Sequence, residues 1–166
     1  MANELGGLHW VAVGAGRLAL RGRPGKQWLD HLAATGCTRV VTLLSAREGA
    51  EALGQAIQQQ GVAWTWLPLA NASTPQGDAA TRLITALPAL SAALDRGEAI
   101  VIHCAAGIHR TGMVAYALLR WRGLAEADAR ATLARLRPTT ANGMQARHFA
   151  WGDGLCADPP APPPDA

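Results

Sequence analysis

The stretch Ala99-Ile-Val-Ile-His-Cys104-Ala-Ala-Gly107-Ile-His-Arg110-Thr-Gly-Met113 decides the fold of this chain. Its first four residues are continuously apolar, which is typical of a strand buried on both faces. From Met113 onwards apolar side chains recur at helical spacing. The stretch therefore predicts a buried strand, a tight loop and a helix, in that order. We call residues 104–110 the Cys-Arg loop.

The Cys-Arg loop is short enough to direct its backbone N–H groups at one point, and the following helix adds the positive end of its dipole there. Gly107 permits a left-handed backbone conformation that side chains disfavour. An anion, and a phosphate in particular, is the predicted occupant. Its binding residues are Ala105, Ala106, Gly107, Ile108, His109 and Arg110.

The residue types at the ends of the loop predict phosphoryl transfer through a cysteine. A thiol titrates near ~8.5, but cations and a helix N-terminus lower its pKa by several units. Cys104 is therefore a candidate nucleophile. Arg110 is a planar, permanently charged fork that can hold two phosphoryl oxygens. Thr111 can donate its hydroxyl to the sulfur and favour the thiolate.

His103-Cys104, five further residues and Arg110-Thr111, with Gly107 between them, resemble the active-site loop of the cysteine-based protein tyrosine phosphatase superfamily. The compact dual-specificity branch fits best. The resemblance implies a dual-specificity phosphatase-like three-layer α/β fold, with a central mixed sheet flanked by helices. It also implies hydrolysis through a phosphocysteine, with no cofactor and no metal.

Two further dipeptides carry the resemblance beyond the loop. Arg23-Pro24 and Arg137-Pro138 occur at comparable places in the same branch, so the resemblance covers about residues 8–150. Gln145 is placed like a residue that positions water for phosphocysteine hydrolysis. Asn142 competes for that role, and both can be ordinary loop residues.

The general acid of the superfamily is missing from its expected place. Some compact members carry this aspartate in a Pro-x-Ala-Asp-x-x-Thr-Pro arrangement, whereas this chain reads Pro68-Leu-Ala-Asn71-Ala-Ser-Thr-Pro75. An amide does not donate a proton usefully at ordinary pH. Three alternatives stay open: Asp78 is the acid or part of a helix N-terminus, His109 assists or shapes the loop, or the leaving group needs little protonation.

The rest of the chain alternates between strand-like and helix-like segments. Apolar spacing and turn residues predict strands over 9–13, 17–20, 38–44 and 62–66, and helices over 26–35, 46–60, 83–94 and 124–137. A capping box, Ser45 with Glu48, begins the helix over 46–60. Trp64 and Trp66 share one face of a strand, where core packing is favoured over contact with substrate.

Composition is that of one α/β domain: 166 residues, 49% hydrophobic and 16% charged, with net charge +3. We expect a phosphatase domain over 1–152 and a disordered proline-rich tail over 153–166. No apolar run approaches the roughly 20 residues of a membrane span, and no secretory signal is evident. A cytoplasmic monomer that binds neither nucleic acid nor membrane is expected.

Three cysteines without zinc spacing suit a reducing compartment. Cys37 is interpreted as a small apolar core residue rather than as a thiol that protects Cys104. The first expected substrate is a phosphorylated protein, with phosphotyrosine foremost, and a small phosphorylated metabolite such as a nucleotide or inositol phosphate is the alternative. Two other classes stay open: a phosphate-recognising pseudophosphatase, and a rhodanese-like sulfur transferase.

Overall fold

The computed structural model describes residues 7–155, which form a five-stranded sheet between two layers of helices. The strands are β1 (Val11–Val13), β2 (Gly16–Arg21), β3 (Arg39–Thr42), β4 (Ala63–Trp66) and β5 (Ala99–His103). Their spatial order is β1-β2-β5-β3-β4, with β1 antiparallel to β2 and the other neighbours parallel. The predicted mixed sheet is confirmed.

Seven α-helices flank the sheet: α1 (Lys26–Asp30), α2 (Ala50–Gln59), α3 (Gly77–Asp95), α4 (His109–Trp121), α5 (Glu126–Leu136), α6 (Pro138–Gly143) and α7 (Ala146–Gly154). The helix predicted over 46–60 is divided. A 3-10 turn over Ala46–Glu48 ends at Gly49, whose φ of +85° is left-handed, and α2 starts only afterwards. The helix predicted over 26–35 likewise ends early, and a 3-10 turn covers Leu32–Thr35.

Two apolar cores lie on the two faces of the sheet. Alternate residues of β5 take opposite sides, since Ile100 and Ile102 belong to one core and Val101 to the other. The first core is completed by α3, α4, α5 and α7, and the second by α1 and α2. This arrangement is the three-layer fold that the sequence predicts.

The central position of β5 determines where the Cys-Arg loop lies. All five residues of β5 are buried, and its last residue, His103, is in register with Arg21 of β2 and Thr42 of β3. Because β2, β3, β4 and β5 are parallel, the segments that follow them emerge at one edge of the sheet. Such an edge is where α/β sheets bind ligands.

Trp64 and Trp66 pack against the helical layer rather than standing free for substrate. Their rings are stacked, with centroids 5.6 Å apart and planes at 16°. A Cβ on Gly54 of α2 would lie 2.4 Å from the Trp64 ring, so the helix and the indole are in close contact. The prediction that these tryptophans serve packing agrees with this contact.

The folded part extends past the predicted boundary at residue 152. Helix α7 runs to Gly154, and Asp153 accepts hydrogen bonds from the Tyr116 hydroxyl (2.6 Å) and Arg120 Nε (2.9 Å). The sequence places Asp153 at the start of the proline-rich tail, whereas its partners Tyr116 and Arg120 lie on α4. The remainder of the predicted tail lies outside the described residues. Within residues 7–155, none of the helices has the length and apolar character of a membrane span.

Candidate active site

The Cys-Arg loop is held from outside by donors that bind its carbonyl oxygens. The backbone N–H of Arg23 donates to the Ala105 carbonyl over 2.8 Å, and Arg137 Nη1 donates to the Gly107 carbonyl over 2.7 Å. The Thr140 hydroxyl donates to the same Gly107 oxygen. These contacts fix the direction of two peptide groups in the loop.

The N–H groups of the loop therefore face its interior. In a trans peptide the C=O and the next N–H point in opposite directions, so the Ala106 and Ile108 N–H groups are turned inward. The Gly107 N–H points the same way, because it donates to Cys104 Sγ over 3.2 Å. Converging amides beside a sulfur atom are a geometry that binds anions.

Gly107 lets the loop pass close to the end of β2. Its φ is +70°, and a Cβ at this position would lie 2.4 Å from the backbone C and O of Arg21. Both facts exclude a side chain, since the conformation strains L residues and backbone atoms cannot move aside. The left-handed glycine predicted from the sequence is confirmed.

Cys104 lies at the floor of the loop, in front of the N-terminus of α4. Only 3% of Cys104 is exposed, whereas the next two residues, Ala105 and Ala106, are exposed. Helix α4 begins at His109, with Ile108 as its N-cap. The loop that carries the sulfur therefore leads directly into a helix N-terminus, where the helix dipole is positive.

Arg110 is held at the site by Glu48, a residue that the sequence marks only as a capping residue. Nη1 and Nη2 of Arg110 donate to the two carboxylate oxygens of Glu48 over 2.8 and 2.9 Å, and Nη1 also donates to the Leu69 carbonyl. A guanidinium has five N–H groups, and these bonds use three. The two that remain, on Nε and Nη2, share one edge and match two phosphoryl oxygens.

The Glu48 carboxylate is ionised over the whole ordinary pH range. Hydrogen bonding to Arg110, with further help from Ser45, lowers its pKa to about 2 against the opposing effect of burial. The Ser45 N–H donates to Glu48 Oε2 over 2.8 Å, so the predicted capping box places this carboxylate. In return, Glu48 raises the pKa of Arg110. The Arg23 guanidinium binds the Glu48 carbonyl and holds the same turn.

A buried polar chain lies under the nucleophile. Trp64 Nε1 donates to the Thr42 hydroxyl, which lies 2.8 Å from His103 Nε2. His103 Nδ1 lies 3.2 Å from the Cys104 carbonyl, an acceptor only, so Nδ1 carries the proton and Nε2 accepts from Thr42. His103 is fully buried and neutral, since burial above all lowers its pKa to about 4.

Thr111 does not make the contact predicted for it. Its residue is fully buried, but its hydroxyl has no hydrogen-bond partner within the part of the chain that the structure describes. The hydrogen bond to Cys104 Sγ is therefore not formed in this arrangement. The Gly107 N–H occupies that role at the sulfur instead.

The Asn71 loop, residues 67–76, lies beside the Cys-Arg loop. Its Leu69 carbonyl accepts from Arg110, which brings the segment to the site. Asn71 itself is exposed, and its Oδ1 accepts the Ser73 N–H over 2.9 Å in an Asx turn. The asparagine thus stands on the segment where the resemblance implies the acid, with its amide oxygen occupied by local structure.

Asp78 lies in the first turn of α3 and is exposed. The helix begins at Gly77, after the N-cap Gln76. Between residues 7 and 155, no hydrogen bond or ion pair joins Asp78 to the Cys-Arg loop. A carboxylate in a first turn stabilises the helix N-terminus, which is the structural alternative for this residue.

Gln145 is the N-cap of α7, and its side chain is exposed. Its backbone N–H donates to Nδ1 of His148 over 3.1 Å. Asn142 is exposed within α6, so it stands in a helix rather than in the expected loop.

His109 is half-buried, and its ring lies 5.2 Å from the ring of His148, centroid to centroid. Nothing in the sequence pattern points to His148.

Cys37 is separated from the nucleophile by the sheet. It belongs to the core on the other face, its Sγ donates to the Arg39 carbonyl, and burial raises its pKa to about 11. These facts agree with the structural interpretation of Cys37. In the described range, no three His, Cys, Asp or Glu side chains are grouped as a metal site requires.

Solved phosphatases share this fold. Kinase-associated phosphatase, with its catalytic cysteine replaced by serine, matches at a TM-score of 0.72 and 20% identity, covering 91% of this chain and 96% of that one. Tk-PTP in its active form matches at 0.70 and 23%, covering 88% and 94%. The core catalytic domain of the PP-IP phosphatase SIW14 from S. cerevisiae matches at 0.63 and 16%, covering 88% and 83%.

Fold and loop together define a cysteine-based phosphatase of the dual-specificity-like branch, as the sequence motif predicts. A family model described as "Polymorphic toxin system, DSP-PTPase phosphatase" matches residues 13–124, about two thirds of the chain. The chain belongs to this family. It is therefore an enzyme, and its substrate is a phosphorylated molecule.

Proposed function

We propose that this phosphatase hydrolyses phosphomonoesters through a phosphocysteine at Cys104, and that phosphotyrosine in proteins is its first substrate class. One observation carries the proposal. Glu48 occupies one edge of the Arg110 guanidinium and leaves a two-donor edge, at the end of a loop whose amides converge beside Cys104. This combination matches the equatorial oxygens of a phosphoryl group in transfer.

The reaction has two displacements at phosphorus. Cys104 Sγ attacks in line, an S–P bond forms and the P–O bond to the leaving group breaks. The loop amides of residues 105–109 and Arg110 hold the three equatorial oxygens throughout. Water then attacks the phosphocysteine and the thiolate departs with the S–P electron pair. We assign the positioning of this water to Gln145, and Asn142 is the alternative.

Asn71 makes the leaving group the main determinant of rate. Without a positioned acid, the leaving oxygen departs as an anion, so the cost depends on the pKa of its conjugate acid. A tyrosine hydroxyl has a pKa of about 10, far lower than that of an alkyl alcohol. An aryl phosphate therefore suits this site better than phosphoserine or phosphothreonine.

A phosphoanhydride of a small metabolite is the second candidate. Its leaving group is a phosphate, which needs no proton to depart. The surroundings of the loop favour such multiply charged substrates, because Arg23 and Arg137 bind the Glu48 and Gly107 carbonyls beside it. Neither arginine forms an ion pair with a carboxylate in residues 7–155. SIW14, a PP-IP phosphatase with the same fold, gives this candidate further support.

We propose a reducing, cytoplasmic location and a monomeric enzyme. A thiolate nucleophile is open to oxidation, and Cys37 is placed on the far side of the sheet, where it cannot form a protective disulfide with Cys104. A compartment that keeps thiols reduced meets this need.

Turnover of an aryl phosphate by wild type and the Cys104→Ser variant tests the proposal. We expect the variant to retain vanadate binding and lose hydrolysis, because the amides and Arg110 remain while the nucleophile is gone. Trapping of labelled phosphate on wild-type protein in acid should identify Cys104. Residual hydrolysis above a few per cent would remove Cys104 from the reaction, and wild type without turnover would favour a phosphate-recognising pseudophosphatase. Chelators should have no effect.

A further inference from the structure

His148 lies at a junction of three segments that surround the active site. The residue is fully buried in the first turn of α7. Its Nε2 lies 2.8 Å from the Ala72 carbonyl in the Asn71 loop, and its Nδ1 accepts the Gln145 N–H. Its ring packs against that of His109 in the Cys-Arg loop, with centroids 5.2 Å apart.

The partners of His148 leave it only one protonation state. A carbonyl oxygen accepts and never donates, so the bond to Ala72 requires a proton on Nε2. The Gln145 N–H is a donor, so Nδ1 must be bare. The imidazole is thus neutral, with both ring nitrogens satisfied and each one bound to a different segment.

A second proton on His148 would break this junction. It would sit on Nδ1 of a fully buried side chain and face the Gln145 N–H, donor against donor. The titratable and charged groups that face the ring are His109 from α4 and Arg147 from its own helix, and both disfavour a positive charge on His148. The Asn71 loop contributes only the Ala72 carbonyl, and no carboxylate forms an ion pair with His148 among the described residues. Burial chiefly, with smaller contributions from His109 and Arg147, lowers the pKa of His148.

We propose that neutral His148 is the positioning residue that holds the Asn71 loop against the Cys-Arg loop, and that its protonation releases the Asn71 loop. Ala72 is the residue after Asn71. The bond from His148 to Ala72 therefore fixes the position of the Asn71 loop on the leaving-group side of the site. The inference rests on the proposed function only for its effect on rate. The attachment itself is measurable in protein without substrate.

Hydrogen exchange of the Asn71 loop tests the attachment directly. In His148→Ala we expect the peptide over residues 68–77 to exchange about tenfold faster at pH 7, the change for one lost hydrogen bond. Exchange in the Cys-Arg loop should stay as in wild type. Phe149→Leu, an apolar change at the next residue of α7, is the matched control and should leave the 68–77 peptide unaffected.

The conservative variant His148→Gln separates positioning from packing. Its amide N–H group can donate to the Ala72 carbonyl but does not titrate. In wild type, exchange at 68–77, corrected for its intrinsic pH dependence, should rise as the pH falls below about 6.5. In His148→Gln it should stay low at every pH. This variant also keeps the proposal testable if His148→Ala does not fold.

Kinetics give the second readout. With an aryl phosphate, His148→Ala should lower kcat while His148→Gln restores it at pH 7, and the acidic fall of wild-type kcat should be weaker in His148→Gln. Unchanged exchange at 68–77 in His148→Ala, or a pH dependence that persists in His148→Gln, would overturn the proposal. Loss of hydrolysis in all proteins, with the exchange pattern intact, would contradict the proposed function and leave the role of His148 standing.

Discussion

The Cys-Arg loop and the Asn71 loop face each other at one edge of the sheet, and they are built differently. The first has a buried cysteine, a left-handed glycine and carbonyls bound from outside by Arg23 and Arg137. The second has an exposed Asn71 in a local turn. Binding of the phosphoryl group is thus preorganised by many contacts, whereas protonation of the leaving group has no comparable provision.

The largest effect on the rate is expected from a change in the buried Cys-Arg loop. Arg110→Lys should lower kcat/KM by about 10²-fold or more, because an ammonium cannot bind both Glu48 oxygens and present a second edge to phosphate. Steady-state kinetics with an aryl phosphate measure this. The control is Arg47→Lys, the same change at an exposed arginine on the neighbouring turn. A near-normal rate in Arg110→Lys would remove Arg110 from the site.

Asn71→Asp tests the Asn71 loop by adding the missing acid. If no other group replaces it, the variant should hydrolyse alkyl phosphates roughly 10 to 10²-fold faster, the usual range for a positioned general acid. The dependence of rate on leaving-group pKa should flatten, and a carboxyl group should enter the basic limb of the pH profile.

Two further variants accompany Asn71→Asp in that experiment. Gln59→Glu adds the same charge at an exposed position of α2 and should change little. Asp78→Asn should also be close to neutral, since Asp78 lies in the first turn of α3. A sharp fall of kcat in Asp78→Asn, with no gain in Asn71→Asp, would make Asp78 the acid and our placement of the Asn71 loop wrong.

Glu48→Gln should have a smaller effect, on the order of tenfold in kcat/KM. An amide keeps one acceptor oxygen for Arg110 and loses the charge that orients the guanidinium. The loss should appear with aryl and alkyl phosphates alike, because Glu48 acts on binding and not on the leaving group. Glu51→Gln, at an exposed position of α2, is the matched control. Equal rates in both variants would show that Arg110 needs no carboxylate.

The polar chain under Cys104 predicts that the free energy of unfolding depends on pH. It predicts no effect on the rate at neutral pH. The pKa of His103 is about 4 in the folded protein and near 6.5 when unfolded, so the unfolded state binds more protons in between. The contribution of neutral His103 to the free energy of unfolding should be fully present above about pH 6.5. At pH 4 the free energy of unfolding should be lower by about 3 kcal/mol. Urea denaturation at several pH values measures this. His103→Gln should flatten the dependence, and His31→Gln, at an exposed position, should not.

The central strand, the loop and its helix were predictable because each depends on local sequence. An apolar run, a glycine and a helical repeat predict β5, the left-handed turn of the Cys-Arg loop and the body of α4. The helix itself begins at His109, four residues before the apolar repeat. The resemblance added Asn71 as the position of a missing acid. These parts of the site lie within one connected segment or one recognisable motif.

The remaining parts depend on contacts between distant segments. Glu48 was evident as a capping residue, but its partner Arg110 is 62 positions away. His148 and Thr42 belong to no motif, and their roles follow only from the fold. The contacts of Asp153 depend on the fold in the same way, because its partners Tyr116 and Arg120 lie on another helix.

The stacked pair of Trp64 and Trp66 gives this enzyme an optical signal of its own. Two indoles with centroids 5.6 Å apart and planes at 16° couple their electronic transitions, which produces a paired band in circular dichroism. Trp64 also donates to Thr42, whose hydroxyl reaches His103 directly before the nucleophile. A change at the Cys-Arg loop that reaches His103 and Thr42 should therefore alter this band, and spectroscopy of the unlabelled protein can measure it.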